Sequence, residues 1–387
     1  MSFSDIEINY AEIPQSELNI DVRTRTNLFA WNGQFSPQFV EAELTRYAKN
    51  GDLVLDPYLG SGTVLYECAR KGISAYGIEL NVSAYCMAKI YELSCLGVLE
   101  RNQIIDEVEQ IFRDAYDNED YLDIIVNHSI NNNNQRVREI LSALIVIMDI
   151  YNKDVSIELL SSKWNSLKNI IIELPETTQL ISAENGDSRR IPLHDNCVDL
   201  ILTSPPYINV FNYHQKYRAS VEKLGYDVLD IAKSEIGANR KHRGNRLYTV
   251  IQYCIDIALS LKEANRVCKN NARMIYVVGR ESTVLGYTFC NSELVYNLGT
   301  QIFGFDFDIR QERVFKNRYG QMIYEDILHF VNNENHDISD EEIISQARGI
   351  AIEMLKSKRG MDNKNSDLLE DAILKSDKIN KSEVRNA

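Results

Sequence analysis

The sequence predicts an α/β fold, a doubly wound (Rossmann-like) sheet that carries a helical insertion. Three observations predict it. A short apolar strand runs into a glycine-bearing turn at 52–62. A helix and a second strand follow directly and end on Glu79. Strand-like apolar segments then return only after a long helical stretch at 96–180.

The first unit reads Asp-Leu-Val-Leu-Asp-Pro-Tyr-Leu-Gly-Ser-Gly, a buried strand and then a turn. Val64, Leu65, Cys68 and Ala69 have helical spacing and mark 63–71 as a helix, with 74–78 as the second strand. Within 96–180, Ile104, Ile105, Val108, Ile111 and Phe112 line one amphipathic helix. Leu141, Leu144, Ile145 and Met148 line another, and the asparagines at 131–134 form a loop between them. Strands are expected at 179–183, 198–202, 273–278, 305–313 and 325–330, with a helix at 251–267. Beyond Phe330 the chain turns polar, with one helical patch at 343–355 and an end expected to be disordered. The expected domains are therefore 1–95, an N-terminal segment with the first half of the sheet; 96–180, the insertion; 181–335, the second half; and 336–387, a polar, partly helical or disordered tail.

With 387 residues, 44% of them apolar and 25% charged, the chain suits one globular core domain with additions. No apolar run approaches the roughly 20 residues of a membrane span. The N-terminus lacks the basic, apolar, small-residue order of a signal peptide, so a cytoplasmic location is expected. Seven cysteines without any C-x-x-C pair suit reduced thiols and exclude a disulfide framework or zinc site, and the six histidines are dispersed. No metal is expected. The net charge of −14 opposes a nucleic-acid partner unless basic residues are concentrated on one face.

Two constellations carry chemistry. Asp56-Pro57-Tyr58-Leu59-Gly60-Ser61-Gly62-Thr63 follows the first strand, where doubly wound sheets bind ligands, and its glycines let a ligand approach the backbone. Glu79, ending the second strand, is placed to accept hydrogen bonds from ribose hydroxyls. The second constellation is Thr203-Ser204-Pro205-Pro206-Tyr207, after the apolar strand 198–202. Two prolines cannot continue a sheet, so they stiffen a loop at the strand's end. A Ser hydroxyl and a Pro carbonyl then form two acceptors beside an aromatic ring. That arrangement suits the amino group of a base.

Residues 51–63 and 203–207 resemble the cofactor and catalytic motifs of the S-adenosylmethionine-dependent DNA amino-methyltransferases, which form N4-methylcytosine or N6-methyladenine. Phe35-Ser36-Pro37-Gln38-Phe39, with Leu44 and Tyr47, is similar to the family segment that closes over the methionine moiety, and Asp187 falls where the family approaches the adenine. The resemblance covers 23–95 and 181–330. It implies a class I methyltransferase sheet with S-adenosyl-L-methionine bound through Phe39, Asp56, Pro57, Gly60, Gly62, Thr63, Glu79 and Asp187. It implies Ser204, Pro205, Pro206 and Tyr207 as the catalytic residues and double-stranded DNA as the partner, with the target base flipped out. A restriction-modification or phage-defence setting is implied too, with a cognate restriction endonuclease or defence-system subunits. Ser before Pro-Pro-Tyr implies cytosine N4. Adenine N6, an RNA base, or a non-catalytic DNA-binding subunit are the alternatives. Two features depart from the family: the insertion at 96–180, and the absence of a separate target-recognition domain after the catalytic motif.

Phosphate-binding charge is expected in 208–250. Lys216, Arg218, Lys223, Lys233, Arg240, Lys241, Arg243 and Arg246 face only Glu222, Asp227, Asp230 and Glu235 there, eight against four, or +4 locally. Lys216, Arg218, Arg240, Lys241, Arg243 and Arg246 are the expected DNA contacts. Neutralising Arg240, Lys241, Arg243 and Arg246 together should flatten the salt dependence of DNA binding, by about 0.9 in log–log slope for each phosphate that is no longer gripped. Titrations across a salt series check this, and an unchanged slope moves DNA binding to another surface, the insertion first.

Overall fold

The computed structural model describes residues 3–149, 155–208, 213–236, 242, 244–317, 320–333 and 338–385. Its main strands are β1 (Leu53–Asp56), β2 (Ser74–Glu79), β3 (Ile181–Asn185), β4 (Val198–Thr203) and β5 (Cys268–Gly279). A hairpin, β6 (Glu281–Val284) with β7 (Tyr287–Cys290), precedes β8 (Asp306–Lys316) and β9 (Met322–Val331). Seven strands make one sheet in the order β3-β2-β1-β4-β5-β9-β8. β3, β2, β1, β4 and β5 run parallel, and β9 enters antiparallel between β5 and β8. This is the class I methyltransferase sheet. The chain steps outward from β1 to β3, then returns to lay β4 on the other side of β1. That reversal opens a crevice beyond the carboxyl ends of β1 and β4.

Strand periodicity explains the core. On β4, Leu200 and Leu202 join one core cluster while Ile201 joins the opposite one; on β5, Met274, Tyr276 and Val278 alternate with Ile275 and Val277. A strand buried on both faces reads as a continuous apolar run, which is why 198–202 and 273–278 stand out in the sequence. One face carries the helices Tyr248–Val267, Asn291–Ile302 and Asp340–Lys356. The other carries Pro37–Tyr47, Thr63–Lys71, Val82–Lys89 and the inserted helices.

Four helices occupy the stretch between Val82–Lys89 and β3: Val98–Ala115, Tyr121–Asn131, Gln135–Met148 and Ile157–Glu173. Asn131 closes the second, so the loop is shorter than the asparagine run, and the Asn134 side chain caps the third by accepting from Arg136 N. Arg101 locks the bundle. Its buried guanidinium donates to the carbonyls of Ile171 (3.0 Å) and Leu174 (2.7 Å), the orphan acceptors at the fourth helix's end. The β6–β7 hairpin and the helix Asn291–Ile302 have no counterpart in the sequence reading. The hairpin turns on Leu285 and Gly286 at positive φ, and Leu285 is not a residue that signals such a turn.

The polar end expected to be disordered is instead docked. Helices Asp340–Lys356 and Ser366–Leu374 are followed by a strip whose Ile379 and Ser382 are buried. Ser382 N and Oγ donate to the two oxygens of Asp256 at 2.9 and 2.6 Å. Arg348, Gln252 and Arg189 donate to the carbonyls of Ile379, Asn380 and Glu383. The attachment runs mostly through backbone groups, with one hydroxyl and a single buried isoleucine, so no apolar pattern announces it. Asp256 is fully buried, and Ser382→Ala would leave its carboxylate one donor short. This variant should lose about 1–3 kcal/mol of unfolding free energy in urea denaturation. An unchanged midpoint would show that the Ser382 hydroxyl adds nothing to stability.

Candidate active site

The site is built where the sheet reverses. β1 ends on Asp56 and β4 on Thr203, and Thr203 Oγ1 donates to Asp56 Oδ1 at 2.6 Å, with Tyr58 N adding 3.1 Å to the same oxygen. The two constellations read from the sequence are thus stitched together. Burial pushes the Asp56 carboxyl up to about 7 despite both donors. Gly60 (φ +55) and Gly62 (φ +92) turn the loop in left-handed conformations, and a Cβ on Gly62 would lie 2.7 Å from the Tyr91 ring. Glu79 braces that loop, accepting from Gly60 N and Asn81 N at 2.7 Å each, one per oxygen. A carboxylate oxygen has a second lone pair, so Glu79 keeps acceptor capacity for ribose hydroxyls. Burial holds its carboxyl up at about 7.

A cavity of about 1900 Å³ opens over this floor. Asp56, Pro57, Gly60, Thr63, Glu79, Asp187, Ser204, Pro205, Pro206 and Tyr207 all line it. Phe39 and Gly62 stand behind the wall. Phe39 is fully buried and packs on Phe35 (5.5 Å between rings), so Phe35, Ser36 and Pro37 face the cavity instead. Asp187 reaches the wall with both oxygens already accepting from Arg189, at 2.8 and 2.6 Å. Tyr207 lies over Gly279, where a Cβ would be 2.6 Å from its ring. Its hydroxyl sits 3.5 Å from Ser204 Oγ and 3.5 Å from Glu325 Oε1.

The roof was not legible from sequence. The segment 27–36 lines the cavity and is clasped from outside: Trp31 stacks on Tyr213 and Tyr217 at 6.1 and 6.5 Å. Lys216 Nζ lies 5.2 Å from the Trp31 ring and donates to Ala30 O at 3.0 Å. Lys216, an expected DNA contact, therefore holds the roof. Arg218 pairs with Glu222 at 2.7 Å, and Arg246 is exposed. Arg240, Lys241 and Arg243 lie outside the described residues. Trp31 was the available signal, one of two tryptophans in the chain. Among the described residues no group of three or more His, Cys, Asp or Glu is placed to hold a metal ion, and no helix is long and apolar enough to cross a membrane.

Residues 9–89 match the family model N6_N4_Mtase, described as DNA methylase. The type II methyltransferase M.MjaII of Methanocaldococcus jannaschii is 43% identical over 51 residues, 13% of this chain and 10% of that protein. The chain thus matches about a tenth of the length of its curated relative. A SAM-dependent methyltransferase from Methanosarcina mazei is 14% identical, with a TM-score of 0.36, over 75% of this chain and 97% of that one. Geranyl diphosphate C-methyltransferase from Streptomyces coelicolor, solved with S-adenosyl-L-homocysteine, is 8% identical, with a TM-score of 0.32, over 76% of each chain. Residues 9–89 are thus similar to the DNA methylases, and the sheet has the Rossmann-like class I strand order.

Ribose hydroxyls, expected at Glu79, donate more strongly to its carboxylate than to its neutral acid. Its carboxyl is pushed up to about 7, so cofactor affinity should fall as pH drops from 8 to 6, by at most about tenfold per unit below 7. The unliganded fold responds in the opposite sense. A raised carboxyl contributes stability below its ordinary value and loses it as pH rises through about 7. Calorimetric titrations at both pH values check this, and Glu79→Gln should abolish the slope. A slope that survives in Glu79→Gln rules out Glu79 as its source.

Proposed function

We propose that the protein is an S-adenosylmethionine-dependent DNA methyltransferase acting on an exocyclic base amino group, cytosine N4 foremost, in restriction-modification or phage defence. The observation that carries this is the Thr203–Asp56 contact, which makes the glycine loop and the Ser-Pro-Pro-Tyr loop walls of one cavity. The match of 9–89 to DNA methylases supports DNA as the substrate. Ser204, where an adenine-directed loop would carry Asp or Asn, favours cytosine over adenine N6.

Bound S-adenosylmethionine supplies a sulfonium-activated methyl group. The chain's task is the amino group, whose lone pair is delocalised into the base. Ser204 Oγ and the Pro205 carbonyl accept hydrogen bonds from its two N–H groups, draw it toward tetrahedral geometry and aim its lone pair at the methyl carbon. Positioning and electrostatics of this kind suffice for the transfer. The methylated ammonium product is acidic and loses its proton to solvent, so no strong base is needed. A duplex base must first be flipped out at a cost of a few kcal/mol, and stacking on Tyr207 returns about 1–3 kcal/mol of it.

Ser204→Ala and Tyr207→Ala should each lose on the order of 100-fold in methyl transfer while keeping cofactor affinity. Modification-aware sequencing of DNA from a host expressing the chain, beside a host without it, identifies the base. Unmodified DNA in the expressing host would reject the function, and full turnover by Tyr207→Ala would reject the stacking role alone.

A further inference from the structure

The far wall of the cavity carries a charged pair, Arg313 with Glu325. In the antiparallel ladder Arg313 of β8 stands opposite Glu325 of β9, and Glu325 stands opposite Gly279 of β5. Directly opposed residues project to one face, so Gly279, Glu325 and Arg313 form a row across the sheet. Tyr207 covers the bare glycine and points its hydroxyl at Glu325 Oε1. Arg313 donates through one terminal nitrogen to Glu325 Oε2 at 3.2 Å. The row leads from the amino-binding loop along the wall of the same cavity.

Arg313 is held there firmly. Its side chain is only 9% exposed, and its guanidinium carbon lies 4.6 Å from the Phe315 ring centre and 5.1 Å from that of Phe39. Phe39, behind the wall, is a seat for this arginine. Yet Arg313 Nε is buried with no hydrogen-bond partner. A buried donor without an acceptor is unfavourable.

We propose that Arg313, anchored by Glu325, reads the ring edge of the flipped base next to its amino group and selects cytosine. The inference rests on the DNA amino-methyltransferase function proposed above. Beside its amino group cytosine presents two adjacent acceptors, ring N3 and the C2 carbonyl oxygen. Adenine presents N1 and then a C–H. The planar fork of an arginine matches two adjacent acceptors, whereas adenine would leave one donor unpaired. Arg313 is thus the specificity residue, and Glu325 is a positioning residue that acts through it.

The test compares the wild-type chain with Arg313→Gln, Arg313→Lys and Glu325→Gln. The substrates are a duplex carrying the site that sequencing identifies and the same duplex with adenine at the target position. Single-turnover methyl transfer on both duplexes gives a cytosine-to-adenine ratio, and calorimetry gives S-adenosylmethionine affinity. We expect a wild-type ratio well above one, falling on the order of tenfold to a hundredfold in Arg313→Gln with cofactor affinity kept. Arg313→Lys keeps the charge and the apolar stem but lacks the fork, so its ratio should fall as well, and it decides the matter if the glutamine variant does not fold. Glu325→Gln should lower the ratio too, which a merely structural role would not do. An unchanged ratio in variants that bind cofactor normally overturns the inference, as does a wild-type preference for adenine, while both leave the methyltransferase function standing. A wild-type chain that modifies no DNA overturns that function and the inference with it.

Discussion

A hydroxyl from the end of β4 and a carboxylate from the end of β1 meet 2.6 Å apart in a setting almost sealed from water. Asp56 is buried, so its ionised form is tolerable only while Thr203 Oγ1 and Tyr58 N hold it. The same contact sets the distance between two loops that arise 147 residues apart in the chain. Everything above it is placed relative to that pair: the glycine loop braced by Glu79, the proline loop backed by Gly279, and the β8–β9 wall beyond.

What the sequence disclosed followed the strength of local pattern. Strands buried on both faces and loops carrying Gly-Ser-Gly or Pro-Pro could be read directly, because their composition answers to backbone conformation. Phe39 was placed in the right segment but on the wrong side of its helix, since a motif fixes a residue's neighbourhood and not the direction of its ring. The clasp of Trp31 by Tyr213, Tyr217 and Lys216 joins segments whose separate compositions look like loops. Arg313 and Glu325 sit among alternating charges in β8 and β9, and only strand register sets them opposite each other. Docking of the tail through carbonyls was illegible for a related reason: every residue has a carbonyl.

The structure also narrows the question raised by the net charge of −14. In the basic segment, Lys216 is spent on the roof, while Arg218, Lys223 and Lys233 pair with Glu222, Asp123 and Asp230. Charge that is already paired releases few counterions when DNA arrives. Of the described basic residues in 208–250, Arg246 is exposed.

The strip that ends the described chain touches the cavity's supports from behind. Ser382 holds Asp256, Arg189 joins Asp256 to Asp187 and to the carbonyl of Glu383, and Arg385 N reaches Asp187 at 3.3 Å. During translation the glycine loop and the proline loop leave the ribosome long before this strip does. A nascent chain can therefore assemble its sheet while the wall behind Asp187 still lacks its brace, and that side of the cavity is finished only when synthesis has passed residue 385.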